Sequence, residues 1–142
     1  MPVSFPFGFG LSYTTFSYSS PKVVAGKKGT WTAAVTVTNT GSVSGKEVVE
    51  LYVSAPEGGM EKPVMELKAF NKTDELAPGQ SQVITMTFTT DDLASFDEGL
   101  NAWVTDAGTY KVHFASSSDD IRQSVPIKIR KRTVRNVLTA LD

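Results

Sequence analysis

The chain contains no cysteine. Disulfides, thiolate metal sites and thiol nucleophiles are thereby excluded together, and the compartment is left open, because a domain of this size needs no covalent staple. Histidine is nearly as scarce: His113 stands alone, so a zinc site would have to be built on carboxylates and a catalytic triad would have one candidate base. No apolar run approaches the ~20 residues of a membrane span. With 14 basic and 15 acidic residues the net charge is −1, which provides no field to steer nucleic acid or anionic lipid. Neither a membrane nor a nucleic acid is expected as a partner. Met1-Pro2 lacks the charged and apolar regions of a signal peptide, and Met1 reads as a start supplied to an excised fragment. Gly8 with Gly10, and Gly58 with Gly59, lack the strand, glycine loop and helix of a phosphate cradle, so no cofactor is expected there.

What the chain does have is alternation. Residues 30–40 set Trp31, Ala33, Val35 and Val37 on one face and Thr32, Ala34, Thr36 and Thr38 on the other, the period of a half-buried strand. The same period recurs with Val49, Leu51 and Val53; with Ile84, Met86 and Phe88; with Tyr110, Val112 and Phe114; and with Ile121, Val125, Ile127 and Ile129. Turn chemistry separates these combs at Asn39-Thr40-Gly41, Pro56-Glu57-Gly58-Gly59, Pro78-Gly79, Asp106-Ala107-Gly108 and the polar residues 116–120. Adding residues 14–18 and 64–70 makes seven main strands, with a short extra one at 102–104. Seven strands at this spacing predict an all-β fold, a two-sheet sandwich. Gly108-Thr109-Tyr110 predicts a tyrosine corner whose hydroxyl satisfies a backbone group. One short helical turn is expected over residues 91–96, capped by Thr90, with Asp91 and Asp92 favoured by the helix dipole.

Beyond the sandwich the composition changes. Lys128, Arg130, Lys131, Arg132 and Arg135 lead into Val134, Val137, Leu138 and Leu141, which share one helical face. This stretch is either a solvated tail or linker, or a helix that docks on another domain. The expected organisation is a junction segment at 1–13, a sandwich at 14–130 and a basic tail at 131–142.

Chemistry is sparse. Hydrolysis by general acid and base needs two carboxylates flanking one bond, one of them with its pKa pushed up by a pocket. The candidates Asp91, Asp92, Asp97, Glu98, Asp119 and Asp120 all fall in turns or at a helix start, where capping and solvation explain them. No catalytic and no metal residue is assigned; the acids around residues 116–120 lack the ligand spacing of a calcium loop. Sugar can also be held by aromatic stacking. Trp31 belongs to the inward comb, while Trp103 is either a lid on one end of the sandwich or an exposed platform. Tyr52 points outward between Glu50 and Ser54, and His113 points outward from its strand.

The opening stretch carries the most information. Residues 4–16, SFPFGFGLSYTTF, hold four phenylalanines broken by Pro6, Gly8 and Gly10, a pattern of neither helix nor strand that suits aromatic anchors on a bent, fitted linker. This run resembles the junction before the last domain of family 3 glycoside hydrolases, the β-glucosidase and β-xylosidase group. The resemblance continues through VTVTNTGSVSGKEVVELYVSAP (35–56), KPVMELKAF (62–70), ELAPGQS (75–81), DDLASFDE (91–98) and DAGTYKVHFASSSDDIR (106–122). It departs at Phe9, where His or Tyr is as readily expected, and it ends near residue 129.

The resemblance implies an immunoglobulin-like, fibronectin type III-like sandwich. It also implies that the nucleophilic aspartate and the acid lie in a barrel domain and an α/β domain for which this chain has no matching position. On this reading Phe5, Phe7, Phe9, Leu11 and Tyr13 dock the domain on those catalytic domains, and the chain alone is not an enzyme. The rival reading is a carbohydrate-binding module that uses Trp103 and Tyr52, distinguished by at least two coplanar aromatics on one solvent face. A third, an independent adhesion or scaffold module, expects a well-covered opening segment.

Overall fold

The computed structural model describes residues 14–56, 65–131 and 133–136. Phe5, Phe7, Phe9, Leu11 and Tyr13 lie outside these, as do Val137, Leu138 and Leu141. Ten strands follow one another: β1 (Phe16–Ala25), β2 (Thr30–Asn39), β3 (Val48–Ser54), β4 (Met65–Lys72), β5 (Ser81–Thr89), β6 (Ser95–Asp97), β7 (Ala102–Thr105), β8 (Gly108–Ser117), β9 (Asp120–Ile129) and β10 (Thr133–Asn136). Two sheets, in the orders β1-β2-β5 and β4-β3-β8-β9, form the sandwich, and all their pairings are antiparallel. The expected seven strands are these. The count rises to ten because β6, β7 and β10 form a third small sheet in the order β10-β7-β6.

The combs read from the sequence face each other across the sandwich. Ala33, Val35 and Val37 from β2, Ile84, Met86 and Phe88 from β5, Val49, Leu51 and Val53 from β3, and Tyr110, Val112 and Phe114 from β8 share one buried cluster. Two expectations about the combs need correction. Trp31 is only half-buried, stacked on Phe88 at 6.2 Å at the margin of the core, with its indole N–H donated to Thr90 Oγ1 at 2.9 Å. Ile121 is exposed, because register irregularities around Ala115 displace the start of β9 from the phase that buries Ile127 and Ile129.

The two open edges of the sandwich are tied by side chains where sheet pairing stops. Arg122 Nη1 donates to the Phe16 carbonyl (2.7 Å) and Gln123 Nε2 to the Tyr18 carbonyl (2.7 Å), joining β9 to β1. Asn71 Nδ2 donates to the Thr85 carbonyl (3.1 Å), joining β4 to β5. These bonds occupy backbone groups that an edge strand would otherwise offer to another chain.

Asn39 ends β2 as a fully buried hub. Its Oδ1 accepts from Thr14 Oγ1 (2.8 Å) and the Gly41 N–H (2.9 Å), and its Nδ2 donates to the carbonyls of Val43 (2.9 Å) and Leu76 (2.8 Å). Residue 41 has to be glycine here, since a Cβ would lie 2.0 Å from Thr14 Oγ1 and 2.9 Å from the Thr15 nitrogen.

The tyrosine corner forms as expected, with Tyr110 Oη donating to the Asp106 carbonyl at 2.9 Å. The helical turn is a 3-10 turn, Thr90–Leu93, and its cap is Thr89 rather than Thr90. Thr89 Oγ1 accepts the Asp92 N–H and Asp92 returns the bond to the Thr89 N–H, a reciprocal capping box. Thr90 is turned away to meet Trp31. The chain after Arg130 departs from the helical expectation over Thr133–Asn136, which is extended and paired with β7. An unpaired edge on β7 is a stronger pull on four residues than weak helical periodicity.

Candidate functional site

Of the six acids put forward by the sequence, Asp92, Asp97 and Asp120 are engaged locally. Asp92 holds the Thr89 N–H, and Asp97 Oδ1 accepts the Leu100 N–H at 3.1 Å. Asp120 Oδ2 accepts from Ser116 Oγ and, at 2.9 Å, from Arg122 Nε. The Ser116 bond and Arg122 hold the Asp120 carboxyl below its usual range against the opposing effect of burial, the reverse of what a general acid needs. Among the described residues no three of His, Asp or Glu gather closely enough to hold a metal ion.

A cluster that the sequence did not single out is the more perturbed one. Tyr18 Oη donates to Glu47 Oε2 at 2.8 Å, and the Arg122 guanidinium lies 5.3 Å over the Tyr18 ring. Burial pushes both the Tyr18 hydroxyl and the Glu47 carboxyl above their ordinary values; for Glu47 the Tyr18 bond and Arg122 offset this only in part, and Asp120 adds to it. The only signal available in sequence was a charge beside the Val49 comb, which by itself is unremarkable. The cluster joins the first strand to the entry of β3, which is a structural task.

Its sign gives a test. Between the ordinary glutamate value of 4.5 and the raised folded value, the native state binds more protons than the unfolded state, so stability falls as pH rises through that window. Above it the burial penalty on the carboxylate is present in full. Glu47→Gln keeps an acceptor for Tyr18 without the charge, so its urea midpoint is expected to lose this slope and exceed wild type at neutral pH. Parallel pH profiles for the two proteins would remove the assignment.

His113 does point outward, yet it is half-buried and bonded on both sides. Ser54 Oγ lies 3.0 Å from Nε2 and Ser124 Oγ 2.8 Å from Nδ1, a row across β3, β8 and β9. Burial, and then Lys111, pull its pKa below the ordinary value. A catalytic base would need a carboxylate where Ser124 stands and a raised proton affinity. The row is a cross-strand lock.

The remaining candidates are surfaces. Tyr52 lies on the outer face of β3, half-buried, with its hydroxyl donated to Glu50 Oε1 at 2.8 Å. Trp103 lies on the small sheet, so the two proposed sugar contacts sit on different sheets. Phe96, Trp103 and Arg135 are in register across β6, β7 and β10 and share one face. Trp103 is 40% exposed and meets Phe96 edge-on, 5.3 Å between centroids at 68°, which is not a flat platform of coplanar rings. This row forms one side of an open cleft of about 430 Å³, with Glu66 and Lys68 of β4 and Asp91 and Asp92 of the 3-10 turn opposite.

A second surface is apolar. The register shift between Leu51 and Tyr52 brings Leu67 opposite Tyr52 and Phe70 opposite Glu50, so both face outward from edge strand β4. They are 49% and 69% exposed, with Val48 of the next strand at 43%.

The fibronectin type III-like domain family matches residues 47–118. A β-glucosidase of Bacteroides ovatus is 41% identical over 124 residues, spanning 85% of this chain and 16% of its own. A β-glucosidase of Rhizobium radiobacter is 42% identical over 127 residues, spanning 88% and 15%. The solved β-glucosidase 3B of Thermotoga neapolitana superposes with a TM-score of 0.80 at 39% identity, over 94% of this chain and 18% of that one. The chain thus spans about a sixth of the length of the curated relatives it matches. Two facing antiparallel sheets, a tyrosine corner and identity above 40% to such relatives agree on one conclusion: the chain belongs to the fibronectin type III-like domain family, in the form carried by family 3 β-glucosidases.

Proposed function

We propose that this chain is a non-catalytic accessory domain of a larger glycoside hydrolase acting on β-glucosides or related glycosides, and that it works by docking on and stabilising the catalytic barrel and α/β domains. The observation that carries this is Phe70, 69% exposed on an edge strand beside Leu67 and Val48. An apolar patch of this kind marks an interaction surface. Burying one Phe contributes roughly 1.5–3 kcal/mol, and Phe5, Phe7, Phe9, Leu11 and Tyr13 of the opening segment are the further docking residues of this reading. Relatives named as β-glucosidases, six times longer than the matched region, support the parentage.

The test is reconstitution. The chain is mixed with a family 3 β-glucosidase from which this domain has been deleted, and association is followed by calorimetry together with turnover of p-nitrophenyl β-glucoside. Wild type is expected to bind and to raise the enzyme's thermal midpoint, and the chain alone to release no nitrophenol. Phe70→Asp should leave the chain's own stability within about 0.5 kcal/mol while weakening association at least about tenfold. Equal binding by the variant, or hydrolysis by the chain alone, would sink the proposal.

A further inference from the structure

The two tryptophans of this chain are placed in opposite ways. Trp31 has its N–H bonded to Thr90 and its ring stacked on Phe88. Trp103 is 40% exposed, and among the described residues its indole N–H has no hydrogen-bond partner. The Phe96 edge fixes the ring without covering it. Its cross-strand neighbour Arg135, and Asp91 across the cleft, likewise carry no side-chain hydrogen bond among the described residues.

We propose that this cleft is a binding site for a neutral pyranose sugar, with Trp103 as the stacking surface. A pyranose offers an apolar face of C–H groups to an aromatic ring and a rim of hydroxyls that both donate and accept. The cleft presents the matching set: an indole face and N–H, the donors Arg135 and Lys68, and the acceptors Asp91 and Glu66. Lys68 and Glu66 are bonded to each other at 2.8 Å, which holds them in place on the rim. Opposite charges on one rim select a neutral polyol, since a uronic acid or a phosphate would meet the carboxylates. The volume of about 430 Å³ lies in the range of small-molecule sites, and a single open stacking surface predicts a dissociation constant in the millimolar range. A single edge-supported ring suits a short chain or a chain end rather than a flat polymer surface.

The experiment is a nitrogen–proton correlation spectrum of the labelled chain, in which each tryptophan contributes one indole N–H peak, assigned by the loss of one peak in Trp103→Phe. Titration with cellotriose, xylotriose and mannotriose is expected to move the Trp103 peak to saturation and to leave Trp31 unmoved. Trp103→Ala should abolish saturable binding, monitored by backbone amide shifts around the cleft. Asp91→Asn, which leaves the packing of the small sheet untouched, should weaken it about tenfold and keeps the test decisive if Trp103→Ala disturbs that sheet. Naming cellotriose as a probe rests on the proposed β-glucoside parentage. Saturation by xylotriose or mannotriose alone keeps the site and counts against that parentage, whereas a Trp103 peak unmoved by all three at tens of millimolar overturns the site. Equal affinity in Asp91→Asn overturns it as well.

Discussion

Asn39→Ala is expected to lower the unfolding free energy by about 4 kcal/mol, seen as a fall of about 10–15 °C in the thermal midpoint. The side chain is fully buried and completes four bonds to three separate parts of the chain. Each bond is worth on the order of 1 kcal/mol, and a buried group left without a partner costs more. The Leu76 carbonyl keeps the Gly45 N–H at 3.0 Å, while the Gly41 N–H and the Thr14 hydroxyl lose Asn39 Oδ1 as their acceptor. Asn39→Asp sharpens the test. The carboxylate still accepts from Thr14 and Gly41 but faces the carbonyls of Val43 and Leu76 with no hydrogen to donate. Its folded pKa would therefore be raised, so the variant should be least stable at neutral pH and recover as pH falls and the carboxyl regains a proton. A midpoint for Asn39→Ala within a few degrees of wild type would show that water replaces the hub.

Phe114→Ala is expected to cost about 3–5 kcal/mol, the transfer loss of a whole ring plus the cavity it leaves. Phe114 has no exposure and sits on β8 between Leu51 and Gln123 in register, facing the opposite sheet. Phe70 supplies the internal control. The same residue type at 69% exposure should tolerate substitution within about 0.5 kcal/mol in the isolated chain. Urea denaturation of the two variants side by side checks this, and comparable losses at both positions would mean that the outer face of β4 is covered within the chain itself.

The core was legible because each strand of the sandwich spans enough residues to repeat its alternation several times. Val35 and Val37, Ile84 and Met86, and Val112 and Phe114 declare their face without any knowledge of the partner sheet. Tyr110 was legible for a different reason, since its bond to Asp106 closes within four residues. Among the short elements β7 was anticipated as the extra strand at 102–104, whereas β6 and β10 hold at most two alternations, and nothing in Ser95–Asp97 separates a strand from the end of a turn. At Thr89 and Thr90 two equally competent caps stand side by side. Trp31 claims the hydroxyl of Thr90 from across the sheet, which leaves the capping to Thr89.

The candidate surfaces divide along the same line. That Trp103 stands apart from the long combs was visible in the sequence; that Phe96 supports its ring depends on the pairing of β6 with β7, and that Arg135 flanks it depends on a strand formed some thirty residues later. Leu67 and Phe70, three residues apart, would fall on opposite faces of a regular strand, and only the register shift beside Leu51 turns both outward.

From sequence alone follow the class of the fold, the membership of the seven long strands, their buried faces except at Trp31 and Ile121, and the absence of thiol chemistry, because each rests on local periodicity or simple presence. Left to the tertiary structure were the Asn39 hub, the Tyr18–Glu47–Arg122 cluster, the Ser54–His113–Ser124 row and the Trp103 cleft. Each joins side chains from strands distant in sequence, and their meeting is set by sheet order and register, which alternation along a single strand does not encode.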